Sequence, residues 1–210
     1  MKKIEAVLFD MDGVLIDAKD WHYEALNKAL KLFGLEISRY DHLHNFDGLP
    51  TKEKLHMLSE ESYLPESLHS FINEVKQEYT REMIELKCKP VFHHEYALSK
   101  LKSEGYKIAV CSNSIRSTIE NMMQKAALSP YLDLIMSNQD VVKAKPDPEI
   151  YVKAIAKLGL LPNQCLILED NKNGIAAAMG SGAYVLKVND VYDVNYANIR
   201  NRIDEIERSV

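Results

Sequence analysis

Two aspartates that directly follow a short apolar segment near the N-terminus could do chemistry together. Asp10 and Asp12 come after residues 6–9, Ala-Val-Leu-Phe, and Gly13 follows them. In an extended chain, side chains two residues apart point to the same face, so the two carboxylates can converge, while glycine permits a sharp turn and close approach to a ligand. Close carboxylates repel each other unless a cation or a shared proton lies between them. The spacing predicts a Mg²⁺ site acting on an anion; a plain acidic turn after a strand is the alternative.

The apolar pattern predicts the elements that position these carboxylates. Short apolar runs typical of strands cover residues 6–9, 107–111, 134–137, 165–168 and 183–188, with helical spacings between the later ones at 94–103, 115–127, 148–158 and 173–179. Strands that alternate with helices predict an α/β fold built on a doubly wound, Rossmann-like parallel sheet. Such sheets bind ligands beyond the carboxyl ends of their strands. Polar pairs gather at these predicted ends: Asp10 with Asp12, Ser112 with Asn113, and Glu169 with Asp170.

Residues 17–87 show no convincing strand and predict a small helical domain inserted into the sheet domain, which then comprises residues 1–16 and 88–210. Helical spacings within the insert cover 19–33, 51–59 and 65–86, whereas the polar and turn residues of 38–50 predict a loop. A further helix is predicted over 198–208, exposed and without an assigned role.

The composition excludes several classes of protein. The chain of 210 residues is 46% apolar with a net charge of −5 and no dense Lys/Arg cluster, so we expect neither nucleic acid nor membrane as a partner. No apolar run approaches the roughly 20 residues of a membrane helix. Three scattered cysteines and a poor secretory signal predict a cytoplasmic protein with reduced thiols. A small phosphorylated metabolite is the expected partner; the oligomeric state stays open, with a monomer as the expectation.

Four motifs in this order resemble those of the haloacid dehalogenase superfamily of phosphotransferases. The motifs are Asp10-Met11-Asp12-Gly13, Ser112-Asn113, Lys145 within Lys143-Ala144-Lys145-Pro146-Asp147-Pro148, and Glu169-Asp170. The resemblance covers essentially the whole chain. The helical insert after the first motif is similar to the cap domain of the branch that contains β-phosphoglucomutase and phosphoglycolate-phosphatase-like enzymes.

The resemblance implies a role for each motif. Asp10 would attack phosphorus and form an aspartyl phosphate, and Asp12 would protonate the leaving alcohol and then activate a water. Lys145 would neutralise both the phosphate and the Asp10 carboxylate, with Lys143 as the rival candidate. Phosphate would also contact Ser112, the backbone of Asn113 and the turn at Gly13.

Mg²⁺ is the cofactor that the resemblance implies. Asp10, the backbone carbonyl of Asp12 and Asp170 would hold it, with waters completing the octahedron. Glu169 would order a metal-bound water and would not bind the ion directly. The aspartate at position 12 is absent from the dehalogenases and the phosphonate-cleaving enzymes of the superfamily, so the implied reaction is phosphoryl transfer.

A phosphatase acting on a sugar, polyol or amino-alcohol phosphate is the predicted function, and a phosphosugar mutase is the alternative. The mutases resembled here grip a second phosphate with an arginine of the cap loop, whereas residues 48–52, Gly-Leu-Pro-Thr-Lys, contain none. The cap residues expected to face the site and select substrate are Trp21, His22, Gly48, Thr51 and Lys52. A phospho-ligand-binding protein without turnover is a third possibility, which the presence of all four motifs disfavours.

Two further features have no assigned part in the chemistry. His93 and His94 stand where this branch usually has a Pro-Gly turn; such a pair could reach the site, but adjacent histidines in a loop are typically solvated, and we expect no metal there. Cys111 has no nearby histidine partner in the sequence, so we expect a small core residue and not a nucleophile.

Overall fold

Five short apolar segments pair into a parallel sheet in the computed structural model, which describes residues 3–46 and 48–209. The strands are β1 Ala6–Phe9, β2 Lys107–Cys111, β3 Leu134–Met136, β4 Cys165–Glu169 and β5 Tyr184–Lys187. Their order across the sheet is β3-β2-β1-β4-β5, and every neighbouring pair is parallel. The predicted α/β fold with a parallel sheet is confirmed.

The strand order brings the polar motifs to one place. β1 lies between β2 and β4, and Phe9 near its end pairs with Val110 on one side and Leu168 on the other. The residues that follow these three adjacent strands therefore meet at the same edge of the sheet. This is the point where the strand order reverses, and ligands of open α/β sheets bind in the crevice outside it.

Helices cover the sheet because its strands are apolar on both faces. The first four helices in chain order belong to the helical unit: α1 Lys19–Lys31, α2 Arg39–Asp41, α3 Thr51–Ser62 and α4 His69–Lys87. The other helices belong to the sheet unit: α5 Phe92–Ser103, α6 Arg116–Lys125, α7 Glu149–Lys157, α8 Lys172–Gly180 and α9 Tyr196–Arg208. Helices α7 and α8 bury Tyr151, Ile155 and Ala178 against Leu8 and Ile167 of the sheet. The core therefore lies directly behind the strand ends that carry the polar motifs.

The chain divides into two compact units, with boundaries at Asp17/Ala18 and Cys88/Lys89. The helical unit, Ala18–Cys88, has its own apolar core, in which Leu30, Leu55 and Ile72 are almost completely buried. None of the helices among the described residues is long and apolar enough to cross a membrane.

The stretch predicted as a loop over 38–50 contains short helical turns instead. Ser38 accepts a hydrogen bond from the N–H of Asp41 at 3.0 Å and so caps α2, which continues as a π-helical turn, His42–Phe46. Phe46 ends this turn inside the apolar core. The prediction was wrong because the polar composition of this stretch gives no sign of the turns, which are stabilised by the Ser38 cap and by the buried ring of Phe46.

The predicted C-terminal helix is half buried. Ile199, Ile203 and Ile206 of α9 are buried and recur at helical spacing, while the opposite face is polar. Helix α9 packs against α5, so the expectation of an exposed helix holds only for its polar face.

Candidate active site

Asp10 lies one residue beyond β1, where the backbone leaves the sheet in a tight turn. Its N–H donates to the carbonyl of Leu168 at 3.1 Å, and its side chain is buried. The carbonyl of Met11 accepts hydrogen bonds from the N–H groups of three following residues, Val14, Leu15 and Ile16. Gly13 has a φ of 92°, a conformation that strains any residue with a Cβ. The turn keeps the carboxylate of Asp12 close to that of Asp10.

Lys145 places its ammonium at the centre of a buried polar cluster. Its side chain is only 3% exposed, and Nζ donates to Asp10 Oδ1 at 2.6 Å and to Glu169 Oε1 at 2.7 Å. The carbonyl of Cys111 lies 2.8 Å from Nζ, and the hydroxyl of Tyr151 lies 2.9 Å from it. Two carboxylates thus face one ammonium, and together they raise the pKa of Lys145 so that it stays charged.

The carboxylate of Glu169, the last residue of β4, has close neighbours at both of its oxygen atoms. Oε1 accepts hydrogen bonds from Lys145 and, at 2.6 Å, from the hydroxyl of Tyr151, while Oε2 lies 3.3 Å from the N–H of Asp170. The carboxylate also presses against Gly174 in the first turn of α8, where an added Cβ would lie 2.0 Å from Oε2. A carboxylate beside the N-terminus of a helix is favoured by the helix dipole.

The site carries an excess of negative charge. Burial raises the pKa of Asp10 well above its ordinary value, the ammonium of Lys145 opposes this rise, and the carboxylates of Glu169, Asp170 and Asp12 add to it. One lysine beside four carboxyl groups leaves repulsion that a proton on Asp10 or a further cation would relieve.

Three of these carboxylates could hold such a cation. Oxygen atoms of Asp10, Glu169 and Asp170 all lie within 4.8 Å of one another. An all-oxygen set of carboxylates is the donor chemistry that Mg²⁺ prefers. Glu169 Oε1 already accepts hydrogen bonds from both Lys145 and Tyr151, whereas Asp10 Oδ1 accepts one from Lys145. The residues present therefore fit a hard divalent cation.

The loop after β2 contributes polar groups in an unexpected way. The side chain of Asn113 binds the backbone of Lys145, accepting from its N–H at 3.1 Å and donating to its carbonyl at 3.3 Å. Ser112 is buried, and its hydroxyl accepts from the N–H of Ser114 at 3.0 Å. Ser114 in turn donates to Asp12 Oδ2 at 3.4 Å. These contacts connect the loop after β2 to both Asp12 and Lys145.

Comparison with known proteins identifies the family that uses this arrangement. A family model described as haloacid dehalogenase-like hydrolase matches residues 7–188, most of the chain and every motif named above. The chain belongs to the haloacid dehalogenase-like hydrolases.

Curated relatives of this hydrolase point to one class of enzyme. A phosphorylated carbohydrates phosphatase of Thermotoga maritima is 31% identical over 179 residues, covering 85% of this chain and 82% of the relative. A phosphoglycolate phosphatase of Aquifex aeolicus is also 31% identical, with the same coverage. The predicted resemblance and the predicted enzyme class, a phosphatase of this family, are confirmed.

Solved structures share the fold of this hydrolase. A β-phosphoglucomutase from Clostridium difficile superposes with a TM-score of 0.84 and 24% sequence identity, covering 98% of this chain and 99% of that one. At this identity the likeness shows the fold alone.

The structure brings together most of the motif residues that the sequence singled out in this hydrolase. Asp10, Lys145 and Glu169 are in direct contact, Asp170 belongs to the same carboxylate cluster, and Asp12 lies close to Asp10. The rival lysine is far more exposed: the side chain of Lys143 is 74% exposed and pairs with Asp147 at 3.9 Å.

Sequence reasoning missed three residues of this cluster: Tyr151, Ser114 and Gly174. Tyr151 falls at an apolar position of α7 and looks like an ordinary core residue, because nothing local marks its hydroxyl as bonded. Gly174 is noticeable as a glycine in the first turn of a helix that directly follows the acidic pair, where it costs helix stability without an evident local reason. That is the one signal that could have revealed a crowded position.

The five predicted cap residues all lie in the helical unit. Trp21 and His22 are half-buried in α1, and His22 Nδ1 lies 3.4 Å from the buried Lys76 Nζ of α4. Gly48 has a φ of 72° in the turn before α3. Helix α3 begins with Thr51 and Lys52.

The adjacent histidines are not both solvated. His93 and His94 lie in the first turn of α5, and each ring approaches the carbonyl of Val191 with Nε2, at 3.2 and 2.7 Å respectively. His94 is only 1% exposed, and burial lowers its pKa to about 4, so it is a neutral structural contact. Cys111 is buried as expected, and burial raises the pKa of its thiol to about 12, which rules out a thiolate nucleophile at neutral pH.

Proposed function

We propose that this hydrolase is a Mg²⁺-dependent phosphatase that releases phosphate from a small phosphorylated sugar, polyol or amino alcohol through an aspartyl phosphate on Asp10. The observation that carries the proposal is the buried 2.6 Å contact between Asp10 and Lys145. It supports the proposal because the ammonium reduces the repulsion between the carboxylate of Asp10 and an incoming phosphate dianion. The name of the Thermotoga relative supports a carbohydrate phosphate as substrate.

Asp10 acts as the nucleophile. One of its carboxylate oxygens forms a bond to phosphorus as the bond from phosphorus to the alcohol oxygen breaks, which divides one difficult hydrolysis into two easier steps. Lys145 binds the carboxylate and the phosphate oxygens, and its position is the same in both steps because Cys111, Glu169 and Tyr151 fix it. Stabilisation of charge by a preorganised group is the largest contribution that such a site supplies.

Asp12 moves the proton. It donates to the departing alcohol oxygen in the first step and takes a proton from the attacking water in the second. Ser114 holds its Oδ2 at 3.4 Å and so helps to orient the carboxyl group. Ser112, the backbone of Asn113 and the turn at Gly13 bind the remaining phosphate oxygens.

Asp10, the backbone carbonyl of Asp12 and Asp170 would hold Mg²⁺. When bound, the ion would supply positive charge that stabilises the phosphate oxygens. Glu169 holds Lys145 and would support the groups around the ion without binding it, because its Oε1 already accepts two hydrogen bonds.

A panel of phosphorylated metabolites, scored for release of inorganic phosphate, tests the proposal. Wild-type protein with Mg²⁺ should hydrolyse p-nitrophenyl phosphate and at least one sugar or polyol phosphate, and EDTA should abolish the release until Mg²⁺ is restored. Asp10→Asn should lose at least about 10³-fold in rate. Wild-type rates in that variant would refute the covalent step.

A β-phosphoglucomutase-like mutase is the second candidate, because the four motifs and the helical unit inserted after the first one resemble those of the branch that contains both kinds of enzyme. The lack of an arginine in residues 48–52 weighs against it, because a mutase must retain a bisphosphate while the sugar reorients. Phosphorus NMR with β-glucose 1-phosphate separates the two. Glucose 6-phosphate formed without free phosphate would show the mutase, whereas free phosphate shows the phosphatase.

The helical unit is proposed to select the substrate through Trp21, His22, Gly48, Thr51 and Lys52. Alanine variants of these residues should change the ranking of substrates in the panel more than the rate on p-nitrophenyl phosphate. A protein that binds the metabolites without releasing phosphate from any of them would instead be a binding module.

A further inference from the structure

Among the described residues, Tyr151 has the one uncharged side chain that forms a hydrogen bond with the ammonium of Lys145. It lies in α7, its side chain is completely buried, and its hydroxyl lies 2.9 Å from Lys145 Nζ and 2.6 Å from Glu169 Oε1. Complete burial means that Tyr151 cannot touch a substrate. Its effect on the reaction must therefore pass through the two residues that it holds.

The directions of these hydrogen bonds follow from the donors available. A carboxylate only accepts, so the phenolic hydrogen of Tyr151 points to Glu169, and its oxygen is left to accept from Lys145. Burial and the carboxylate of Glu169 raise the pKa of Tyr151 well above its ordinary value, so the hydroxyl keeps its hydrogen. Nζ, Oε1 and the hydroxyl oxygen form a closed triangle with sides of 2.6, 2.7 and 2.9 Å.

The triangle determines how strongly Glu169 attracts the lysine. An ammonium has three hydrogens, and four oxygens lie within 2.9 Å of Nζ, those of Asp10, Glu169, Cys111 and Tyr151. Because Oε1 of Glu169 accepts a hydrogen bond from Tyr151, the hydrogen bond between Oε1 and the ammonium of Lys145 is weaker than it would be without the hydroxyl. Without the hydroxyl, Glu169 would draw Nζ closer to itself and away from Asp10.

Glu169 cannot relax in the other direction. Gly174 touches its carboxylate, and Oε2 lies against the N–H of Asp170. Any change in the bonding of Oε1 is therefore passed to Lys145 and not absorbed by rotation of the glutamate.

We propose that Tyr151 is a positioning residue. Its hydroxyl limits how closely Glu169 draws the ammonium of Lys145 and so keeps that ammonium beside the carboxylate of Asp10, the nucleophile. The kinetic consequence rests on the proposed function, whereas the position of the ammonium does not. The centroid of the Tyr151 ring lies 4.8 Å from Lys145 Nζ, so Tyr151→Phe removes the hydroxyl and keeps the contact between ring and ammonium.

Tyr106→Phe is a matched control. Tyr106 is also a buried tyrosine whose hydroxyl lies 2.6 Å from a cationic group, Arg200, but it precedes β2 at the opposite end of the sheet from the site. Both variants lose one buried hydroxyl bonded to a cation, so a general effect of that loss appears in both.

The first readout is the ammonium of Lys145 in protein labelled with ¹⁵N-lysine, assigned as the signal missing from Lys145→Met. A buried, bonded ammonium gives a slowly exchanging ¹H–¹⁵N signal. Tyr151→Phe should shift this signal or speed its hydrogen exchange at least about threefold, whereas Tyr106→Phe should leave it at the wild-type position.

The second readout is steady-state hydrolysis of p-nitrophenyl phosphate. Tyr151→Phe should lower kcat about tenfold and leave KM within about twofold, because the phosphate still meets the same groups while the lysine is misplaced. Tyr106→Phe should match the wild type in both constants, and thermal unfolding should remain cooperative in each variant.

The inference is overturned if Tyr151→Phe leaves the Lys145 signal unchanged, or if an active wild type loses no kcat in the variant. A wild type that hydrolyses nothing in the panel would reject the proposed function instead. In that case the ammonium signal alone decides whether Tyr151 positions Lys145.

Discussion

Asn113 holds Lys145 by its backbone, with the N–H of Lys145 donating to Asn113 Oδ1 at 3.1 Å and Asn113 Nδ2 donating to the carbonyl of Lys145 at 3.3 Å. The amide thus joins the loop after β2 to the loop that carries the buried lysine. The ammonium and its backbone are held by different partners, so each can be tested separately.

Removal of this amide should loosen the lysine without removing its charge. Asn113→Ala loses two part-buried hydrogen bonds, so the free energy of unfolding should fall by about 1–3 kcal/mol, and kcat should fall more than KM rises. Chemical denaturation and steady-state kinetics measure the two effects. Asn113→Asp keeps the acceptor but turns a carboxylate oxygen toward the carbonyl of Lys145 in a site with an excess of negative charge, so its loss of stability should be at least as large as that of Asn113→Ala. A smaller loss in the aspartate variant would contradict this account.

The two lysines of the same loop should differ sharply. Lys145→Met leaves Asp10 and Glu169 buried without their shared ammonium, which should cost about 3–5 kcal/mol in the free energy of unfolding at neutral pH and at least about 10³-fold in kcat/KM. Lys143→Met changes a side chain that is 74% exposed and should leave both quantities near wild type. Loss of activity in Lys143→Met with activity retained in Lys145→Met would reverse the assignment of the phosphate-binding lysine.

Gly174 should tolerate no side chain. In Gly174→Ala the Cβ would lie 2.0 Å from Glu169 Oε2, so the glutamate or α8 must shift, and the free energy of unfolding should fall by about 1–3 kcal/mol together with a loss of activity. Gly180→Ala serves as the control because it adds the same methyl group to the other end of α8, where the nearest atom, Pro148 Cβ, lies 3.2 Å away. Its activity should match the wild type, since the contact lies away from Glu169. Equal losses of activity in both variants would show that only the helix as a whole matters.

His94 should make the stability depend on pH in mildly acidic solution. Its pKa falls from the ordinary value of 6.5 to about 4 in the folded protein because of burial. Between these values the unfolded chain binds a proton that the folded protein excludes, so stability is greatest above pH 6.5 and decreases as the pH falls toward 4, by up to about 3 kcal/mol.

Chemical denaturation at several pH values, compared with His94→Gln, isolates this effect, because the carboxylates contribute equally to both proteins. The difference in the free energy of unfolding between wild type and variant should shrink as the pH is lowered from 6.5 to 4. His93→Gln should keep the dependence due to His94. A constant difference between wild type and His94→Gln across this range would show that His94 is not the group that titrates.

Local patterns in the sequence were sufficient for the fold class and for the motif residues. Five apolar runs with polar pairs at their ends predict a parallel sheet, because side-chain alternation and strand length are properties of a few adjacent residues. Asp10, Asp12, Ser112 and Asp170 could be named because each lies at or just beyond the end of such a run. The resemblance in motif order supplied their roles.

Long-range packing decided the rest. Lys143 and Lys145 are two residues apart in a loop, and only the fold buries the second against Asp10 while leaving the first in solvent. Tyr151 belongs to the cluster because α7 packs across the sheet toward Glu169, a contact that no periodicity in the sequence encodes. A sequence shows which groups stand at the ends of strands, whereas hydrogen bonds between distant segments exist only once the sheet and its helices have brought those segments together.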